Sequence, residues 1–199
     1  RGEAMQNAVP IGVGSMVAIL GASVEDVEYF IASVGNMEGL VEIANDNAPG
    51  QVVISGNVKP LDLIIEVAKK SGVRKIIKLS VSAPFHCSLM KPAAETMKIA
   101  LDKVKFLEPK VPIISNVSAI PETSPQTLKN NLVLQVTNRV RWRETMASLP
   151  RLGISQIVEM GTGKVLTGLA RRGAKNLQSI NLETSDAIKN WLKLEKLIN

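Results

Sequence analysis

The sequence predicts an α/β fold built from two differently ordered parts. Between residues 14 and 81, predicted strands and helices follow the order β-α-β-β-α-β, and from residue 82 onwards single strands and helices alternate. Alternation of the second kind is typical of an α/β layer with a mainly parallel sheet. The hydrophobic fraction of 45% is large enough to bury a core. No apolar stretch approaches the roughly 20 residues of a membrane span.

The first part begins with a strand at residues 14–21 and a helix after it. Ser23 is a typical N-cap residue, and the apolar residues of this helix recur at helical spacing, at Val24, Val27, Phe30, Ile31 and Val34. The remaining elements are strands at 40–45 and 51–55 around the turn signal 47–50, a helix from Pro60 and a strand at 74–81. This order is that of the ferredoxin-like fold, so we predict a small domain of that type at residues 14–81.

The second part follows a loop at residues 82–87. Its predicted helices are 92–105, 124–141, 145–149, 164–172 and one from 184, and its predicted strands are 111–117, 156–160 and 179–182. We expect residues 1–13 and 82–199 to form part of a larger α/β domain.

Composition narrows the choice of partners and of compartment. A single cysteine, Cys87, and the lack of a signal peptide favour a reducing cytoplasm. The net charge of +6 favours an acidic partner, which could be a nucleic acid or an acidic carrier protein. An RNA-recognition module stacks bases on strand aromatics, but the strand at 51–55 has none, so we reject that reading. Basic residues cluster in the last third of the chain. We expect most of them to lie on solvated faces and some to form a docking patch for an acidic partner. They are Arg139, Arg141, Arg143, Arg151, Lys164, Arg171, Arg172 and Lys175.

His86 is the only histidine and lies in a loop that follows a predicted strand. A histidine there can act as a general base, although a lone histidine is more often structural. Cys87 is its neighbour in an extended loop, so the two side chains point apart and Cys87 is interpreted as a packing residue.

A glycine turn, Gly161-Thr-Gly-Lys164, joins a strand to a helix and resembles a phosphate-binding loop. The P-loop pattern fails, because Val165 follows the lysine and Glu159 stands where a glycine is required. A general anion site at the helix N-terminus remains open, and close strand–helix packing is the favoured use.

Four segments, in order and in register, resemble one family. They are Arg1-Gly-Glu-Ala-Met-Gln-Asn-Ala-Val-Pro10, Asn47-Ala-Pro-Gly-Gln-Val-Val-Ile-Ser-Gly56, Val81-Ser-Ala-Pro-Phe-His-Cys-Ser-Leu-Met90 and Glu159-Met-Gly-Thr-Gly-Lys-Val-Leu-Thr-Gly168. All four resemble segments of malonyl-CoA:acyl-carrier-protein transacylases, over nearly the whole chain. Thr162 departs from that family's usual proline.

The resemblance implies a fold and an activity. The family has an α/β-hydrolase-like (acyltransferase) large domain with a ferredoxin-like small domain inserted. It moves malonyl from malonyl-CoA to the phosphopantetheine thiol of the acidic acyl carrier protein in fatty-acid synthesis. The reaction passes through a malonyl-serine ester and uses no metal or redox cofactor. No nucleic acid and no membrane are implied.

The resemblance also assigns roles to individual residues. His86 matches the general base, and Gln135 matches the residue whose main-chain carbonyl orients the imidazole. Arg1 matches the arginine that pairs with the malonyl carboxylate, a fit for the planar guanidinium fork. Phe85 resembles the bulky residue that excludes a 2-methyl branch. Three further residues are implied to line the site, and these are Asn45, Asn47 and Gln51.

Two parts of the family pattern do not occur in these residues. They are the Gly-His-Ser-Leu-Gly type segment with the nucleophilic serine and a Gly-Gln-Gly segment that supplies an oxyanion-hole glutamine. Because the opening at Arg1 reads as mid-helix without a cap, we expect both upstream of Arg1 in a longer protein, and expect residues 1–199 alone to be inactive. The alternatives are a serine-less module that binds carrier protein or coenzyme A, and a ferredoxin-like regulatory domain. The enzyme is favoured because the base His86, the orienting residue Gln135 and the carboxylate-binding Arg1 all match the family.

Overall fold

The computed structural model describes residues 1–35, 38–174 and 176–198. The backbone divides into two compact units, Arg1–Thr145 and Met146–Asn199. The predicted division into residues 14–81 and the remainder stays a prediction.

A four-stranded antiparallel sheet forms the centre of the first unit. Its strands are β1 (Gly14–Leu20), β2 (Val41–Ala48), β3 (Gln51–Asn57) and β4 (Lys75–Lys78), in the order β2-β3-β1-β4. Helix α2 (Val24–Ser33) follows β1 and helix α3 (Val58–Lys70) follows β3. This strand order and connectivity confirm the predicted ferredoxin-like β-α-β-β-α-β arrangement.

The capping signal before α2 works as predicted. The Asp26 N–H donates to Ser23 Oγ at 3.1 Å, and the Ser23 N–H donates to the Asp26 carboxylate at 2.8 Å. Two backbone donors that the helix itself cannot satisfy are thereby bonded, which fixes where α2 begins.

Both faces of the sheet are buried, but by different elements. One face carries Val17, Ile19 and Ile54 against Val27 and Leu61, which lie on α2 and α3. Because side chains alternate along a strand, the other face presents a second buried set, consisting of Met16, Ala18, Ala44 and Val53. Phe85 packs on that second face, so the sheet supports the loop that contains His86.

Strands β2 and β4 end at other residues than the sequence predicts. Strand β2 continues to Ala48, since residues 46 and 48 pair with Val52 and Gln51, and the turn shrinks to Pro49-Gly50, with Gly50 at φ +69°. Strand β4 ends at Lys78 instead of residue 81. A bond from the Val81 N–H to the Leu79 carbonyl, at 2.9 Å, bends the chain away there.

The rest of the first unit contains α1 (Gly2–Asn7), α4 (Lys91–Asp102) and α5 (Pro125–Thr137), and α6 (Trp142–Ser148) begins in it. Met5, Met90, Ala93 and Val136 join α1, α4 and α5 in one apolar cluster. The predicted strand at 111–117 is reduced to β5 (Ile113–Ile114), which pairs with β6 (Pro121–Glu122). It ends early because the chain turns, with the Ala119 N–H bonded to the Ser115 carbonyl at 2.9 Å.

Helix α5 ends at Thr137, four residues before the predicted end. The residues after it leave the helix and join the edge of β2 instead. The Val140 N–H donates to the Ala44 carbonyl and the Val140 carbonyl accepts from the Asp46 N–H, both at 2.8 Å. This long-range bridge anchors the C-terminal end of α5 to the sheet.

The second unit contains β7 (Gln156–Met160), α7 (Val165–Gly173), β8 (Gln178–Leu182) and α8 (Ser185–Ile198). The two strands pair in parallel with Gln156 opposite Gln178, as predicted for a β-α-β crossover. Across the described ranges of the chain, no helix is both long and apolar enough to span a bilayer.

Candidate active site

The imidazole of His86 is held by a main-chain carbonyl. Its Nδ1 lies 2.8 Å from the carbonyl oxygen of Gln135. Gln135 is in the last turn of α5, where carbonyl groups have no partner within the helix and can accept other donors. Because a carbonyl only accepts, Nδ1 must carry the proton. The neutral imidazole therefore presents an unprotonated Nε2, the form that a general base requires.

The surroundings also keep this imidazole neutral. Burial lowers the pKa of His86, because a buried ring disfavours the charged form. The carbonyl of Gln135 opposes that shift, and the positive charge of Arg1 adds to it. The net direction is a pKa below the ordinary value of 6.5, so His86 is mainly unprotonated at neutral pH.

Arg1 lies near His86 but not in the same cavity. It precedes α1, its side chain is exposed, and its Nε lies 3.3 Å from Met5 Sδ. It lines a cavity of about 360 Å³ with Pro92 and Thr96. His86 instead lines a cavity of about 550 Å³. The charge of Arg1 acts on His86, and the roles of both residues stay predictions.

The other predicted site residues lie around the loop and the sheet. Phe85 is half-buried between two apolar clusters, beside the predicted base. Asn45 and Asn47 lie on β2 and Gln51 opens β3, all half-buried. None of these three lines the cavity that contains His86, which takes Glu42 and Ile43 from β2. Their part in substrate binding stays a prediction.

Glu42 holds the His86 loop, and sequence reasoning missed it. Its two carboxylate oxygens accept from the Ser88 N–H at 2.9 Å and from the Ser88 hydroxyl at 2.7 Å. Both residues line the same cavity as His86. The two partners are 46 residues apart, so no local pattern indicated the contact.

A second missed contact joins Asp46 to Arg143. The Arg143 Nε donates to both carboxylate oxygens at 2.9 Å, and Nη2 lies 2.8 Å from Oδ2. Asp46 is only 1% exposed. One signal was present in the sequence: Asp46 shares period-two spacing with Ala44 and Ala48, and these positions are buried in β2, so its carboxylate needs a cationic partner.

Arg143 is therefore not part of a simple solvated face, and two of its basic neighbours are also paired. Arg141 makes a two-pronged contact with Glu144, at 2.8 and 2.5 Å, and also donates to the Ser118 carbonyl. Arg139 approaches Glu144 to 3.9 Å. These three arginines are paired within the chain, and Lys175 lies outside the described residues.

Cys87 is confirmed as a packing residue. Its side chain is fully buried, its thiol donates to the Pro84 carbonyl at 3.1 Å, and Ser55 Oγ approaches its sulfur to 3.7 Å. Burial raises the pKa of the thiol, which removes the reactive thiolate at neutral pH.

The glycine turn before α7 serves packing within the second unit. The Glu159 carboxylate accepts from the N–H groups of Leu166 and Thr167, at 3.0 and 2.8 Å, and from the Thr167 hydroxyl at 2.7 Å. Glu183 accepts from the Gly163 N–H at 3.1 Å. Carboxylates of the chain itself thus occupy the helix N-terminus where an anion would bind.

Comparison with known proteins gives consistent relatives. The chain is 42% identical to the malonyl CoA-acyl carrier protein transacylase of Bacillus subtilis (strain 168), over 94% of this chain and 59% of the relative. The transacylase of Staphylococcus aureus (strain COL) is 34% identical over 96% of this chain and 62% of its own length. No protein-family model matches.

Solved structures agree with these relatives. The acyl-carrier-protein-S-malonyltransferase from Bartonella henselae superposes with a TM-score of 0.90 at 46% identity, over 97% of this chain and 61% of that one. A malonyl-transacylase solved in complex with its type II acyl-carrier protein gives a TM-score of 0.92 at 35% identity, covering 96% and 62%.

The fold is thus that of the acyltransferase-type α/β proteins, with a ferredoxin-like arrangement of its first sheet. The chain spans about three fifths of the length of the relatives it matches. Within that span it is homologous to the malonyl CoA-acyl carrier protein transacylases.

Proposed function

We propose that the protein moves malonyl from malonyl-CoA to the phosphopantetheine thiol of acyl carrier protein, in fatty-acid synthesis. In this proposal the nucleophilic serine lies outside residues 1–199 and His86 is its base. The observation that carries it is the 2.8 Å contact between Nδ1 and the Gln135 carbonyl, which places the proton on Nδ1 and leaves Nε2 unprotonated. The named transacylase relatives support the same activity.

His86 has the same task in both halves of the reaction. Nε2 takes the serine proton as the serine oxygen attacks the malonyl thioester, and the imidazolium returns that proton to the leaving coenzyme A thiolate. The carrier thiol then gives its proton to Nε2 and attacks the malonyl-serine ester, and the serine oxygen is protonated as it leaves. The Gln135 carbonyl stabilises the imidazolium through Nδ1–H, in the place of a carboxylate.

Arg1 is proposed to select the malonyl group. A guanidinium stays charged and binds a carboxylate through two parallel hydrogen bonds, which acetyl cannot offer. Its exposed side chain and the effect of its charge on His86 support a position near the acyl group. Phe85 is proposed to limit the space for a branched acyl group, and Asn45, Asn47 and Gln51 to line the approach.

The proposed partner is an acidic acyl carrier protein, and no nucleic acid or membrane takes part. The net charge of +6 supports an acidic partner, and one relative is a malonyl-transacylase bound to its acyl-carrier protein. The steps are proton and acyl transfers, so we propose no metal or redox cofactor. A cytoplasmic location is proposed, on the single buried thiol.

The test is incubation of the full-length protein with malonyl-CoA, followed by intact mass and peptide mapping. We expect a malonyl adduct on a serine outside residues 1–199, and its removal by holo acyl carrier protein. Coenzyme A binding without any adduct would contradict the proposal and favour the serine-less binding module.

A further inference from the structure

We propose that Glu42 is a positioning residue for His86, which it holds in place through Ser88. The inference rests on the proposed function, since it concerns the residue assigned there as the base. Among the described residues Glu42 makes no hydrogen bond to the imidazole, so we infer that it acts through the backbone of the loop.

The His86 loop needs an external support. His86 has φ +60°, a left-handed conformation that costs free energy for a residue with a side chain. Within the loop, the Phe85 N–H bonds the Ala83 carbonyl at 3.1 Å and the Cys87 thiol bonds the Pro84 carbonyl. On the C-terminal side the Met90 N–H bonds the Cys87 carbonyl at 3.0 Å, whereas the N–H and hydroxyl of Ser88 are bonded from outside the loop, by Glu42.

Glu42 supplies that support from the sheet. Both of its oxygens are engaged, one by the Ser88 N–H at 2.9 Å and the other by the Ser88 hydroxyl at 2.7 Å. Hydrogen bonds to a charged acceptor are stronger than neutral ones. Glu42 itself is fixed within β2, opposite Ser55 of β3. A strand of the central sheet thus anchors the residue two positions after His86.

The imidazole is consequently held from two sides. Gln135 of α5 fixes Nδ1, and Glu42 of β2 fixes the backbone that carries the ring. If the Ser88 anchor is lost, the left-handed residue can relax and Nδ1 can leave the Gln135 carbonyl. The neutral ring then exchanges between its two tautomers, and Nε2 is no longer always the free nitrogen.

The experiment uses the full-length protein labelled at its histidines, and the signals of His86 are assigned by their absence in His86→Gln. Long-range nitrogen–proton NMR then reports the tautomer of this ring, without any activity measurement. Glu42→Gln removes the acceptor for one of the two bonds, and Ser88→Ala removes the hydroxyl donor. Glu28→Gln is the matched control, because Glu28 lines the same cavity and has no hydrogen bond to this loop in the described part of the chain.

We expect the wild type and Glu28→Gln to show one tautomer with an unprotonated Nε2. Glu42→Gln and Ser88→Ala should show both nitrogens partly protonated. Amide exchange at residue 88 should be about tenfold faster in Glu42→Gln, because one charge-assisted bond no longer opposes local opening.

A wild-type tautomer and unchanged amide exchange in both variants would overturn the proposal, as would an equal change in Glu28→Gln. Ser88→Ala keeps the test decisive if Glu42→Gln does not fold. The readout is independent of malonyl transfer, so failure of the proposed function and failure of this inference are distinguishable. If the His86 ring is anchored as described but the protein forms no malonyl adduct, the proposed function is refuted and the positioning role of Glu42 stands.

Discussion

Replacing Arg143 by alanine is the perturbation that most directly tests the long-range anchoring of this fold. The side chain of Asp46 is 1% exposed, and that of Arg143 is 40% exposed. Arg143→Ala therefore leaves a buried carboxylate without its cation. Asp46→Asn instead leaves a guanidinium that water can reach. The two variants should therefore lower the free energy of unfolding by different amounts.

The magnitude follows from this asymmetry. Breaking a buried ion pair by removing one partner costs about 3–5 kcal/mol, but water can partly replace a half-exposed arginine. We expect Arg143→Ala to lower the free energy of unfolding by about 2–3 kcal/mol. Asp46→Asn should cost about 1 kcal/mol, comparable to an ordinary hydrogen bond, and the double variant should cost less than the sum.

The assay is urea unfolding followed by the fluorescence of Trp142, which lies in the first unit beside Arg143. Trp191→Phe provides the background that removes the second unit's signal. Lys78→Ala is the control, because its pair with Asp62 is exposed on both sides, at 59% and 51%, and should contribute less than about 0.5 kcal/mol. An Arg143→Ala effect as small as that of the control would refute the buried-pair reasoning.

Three further predictions concern titration and reactivity. The NMR titration of His86 should give a pKa below 6.5, because burial disfavours the charged ring, and a pKa above 6.5 would contradict this. Because the unfolded chain then binds the proton more readily than the folded protein, the free energy of unfolding should fall as pH drops from 6.5 to the folded pKa. Hydrogen bonds from Thr167 lower the pKa of Glu159 from 4.5, so its stabilisation of α7 should persist above pH 4.5 and fade as pH falls through the lowered folded pKa. Amide exchange at Leu166 and Thr167 measures this stabilisation. In Glu159→Gln these two amides should exchange fast even at neutral pH, and protection equal to that of the wild type would show that the Glu159 carboxylate does not cap α7. Cys87 should react with a thiol reagent only as the protein unfolds, and fast labelling of the native chain would contradict its burial.

Local signals predicted most of the fold. The Ser23 cap, the helical spacing of Val24, Val27 and Phe30, and the Ser124-Pro125 helix start each depend on residues within a few positions. Such signals are contained in a short window of sequence, so the element order and the ferredoxin-like arrangement could be predicted.

What could not be predicted depends on contacts between distant residues. The early end of α5 follows from the pairing of Val140 with β2, and the Asp46–Arg143 pair joins residues 97 positions apart. No pattern in residues 138–143 alone indicates a sheet edge as their partner. The three arginines there are consequently interpreted as surface residues.

The candidate site was predictable only in part for the same reason. From its position alone, His86 fits a structural role better than a catalytic one. The family resemblance indicated Gln135, and the structure places its carbonyl 2.8 Å from Nδ1. The Glu42–Ser88 contact had no counterpart in the motifs, because one partner lies on the sheet and the other in the loop.

The central claim is that His86 is the base for malonyl transfer. Its most direct test is the rate at which the full-length protein forms the malonyl adduct, compared between wild type and His86→Ala in excess malonyl-CoA. The account predicts that the variant forms the adduct at least about 100-fold more slowly, since a positioned general base contributes ~10²–10⁴ in rate. A variant rate within about twofold of wild type would contradict it, because general-base removal cannot be that mild.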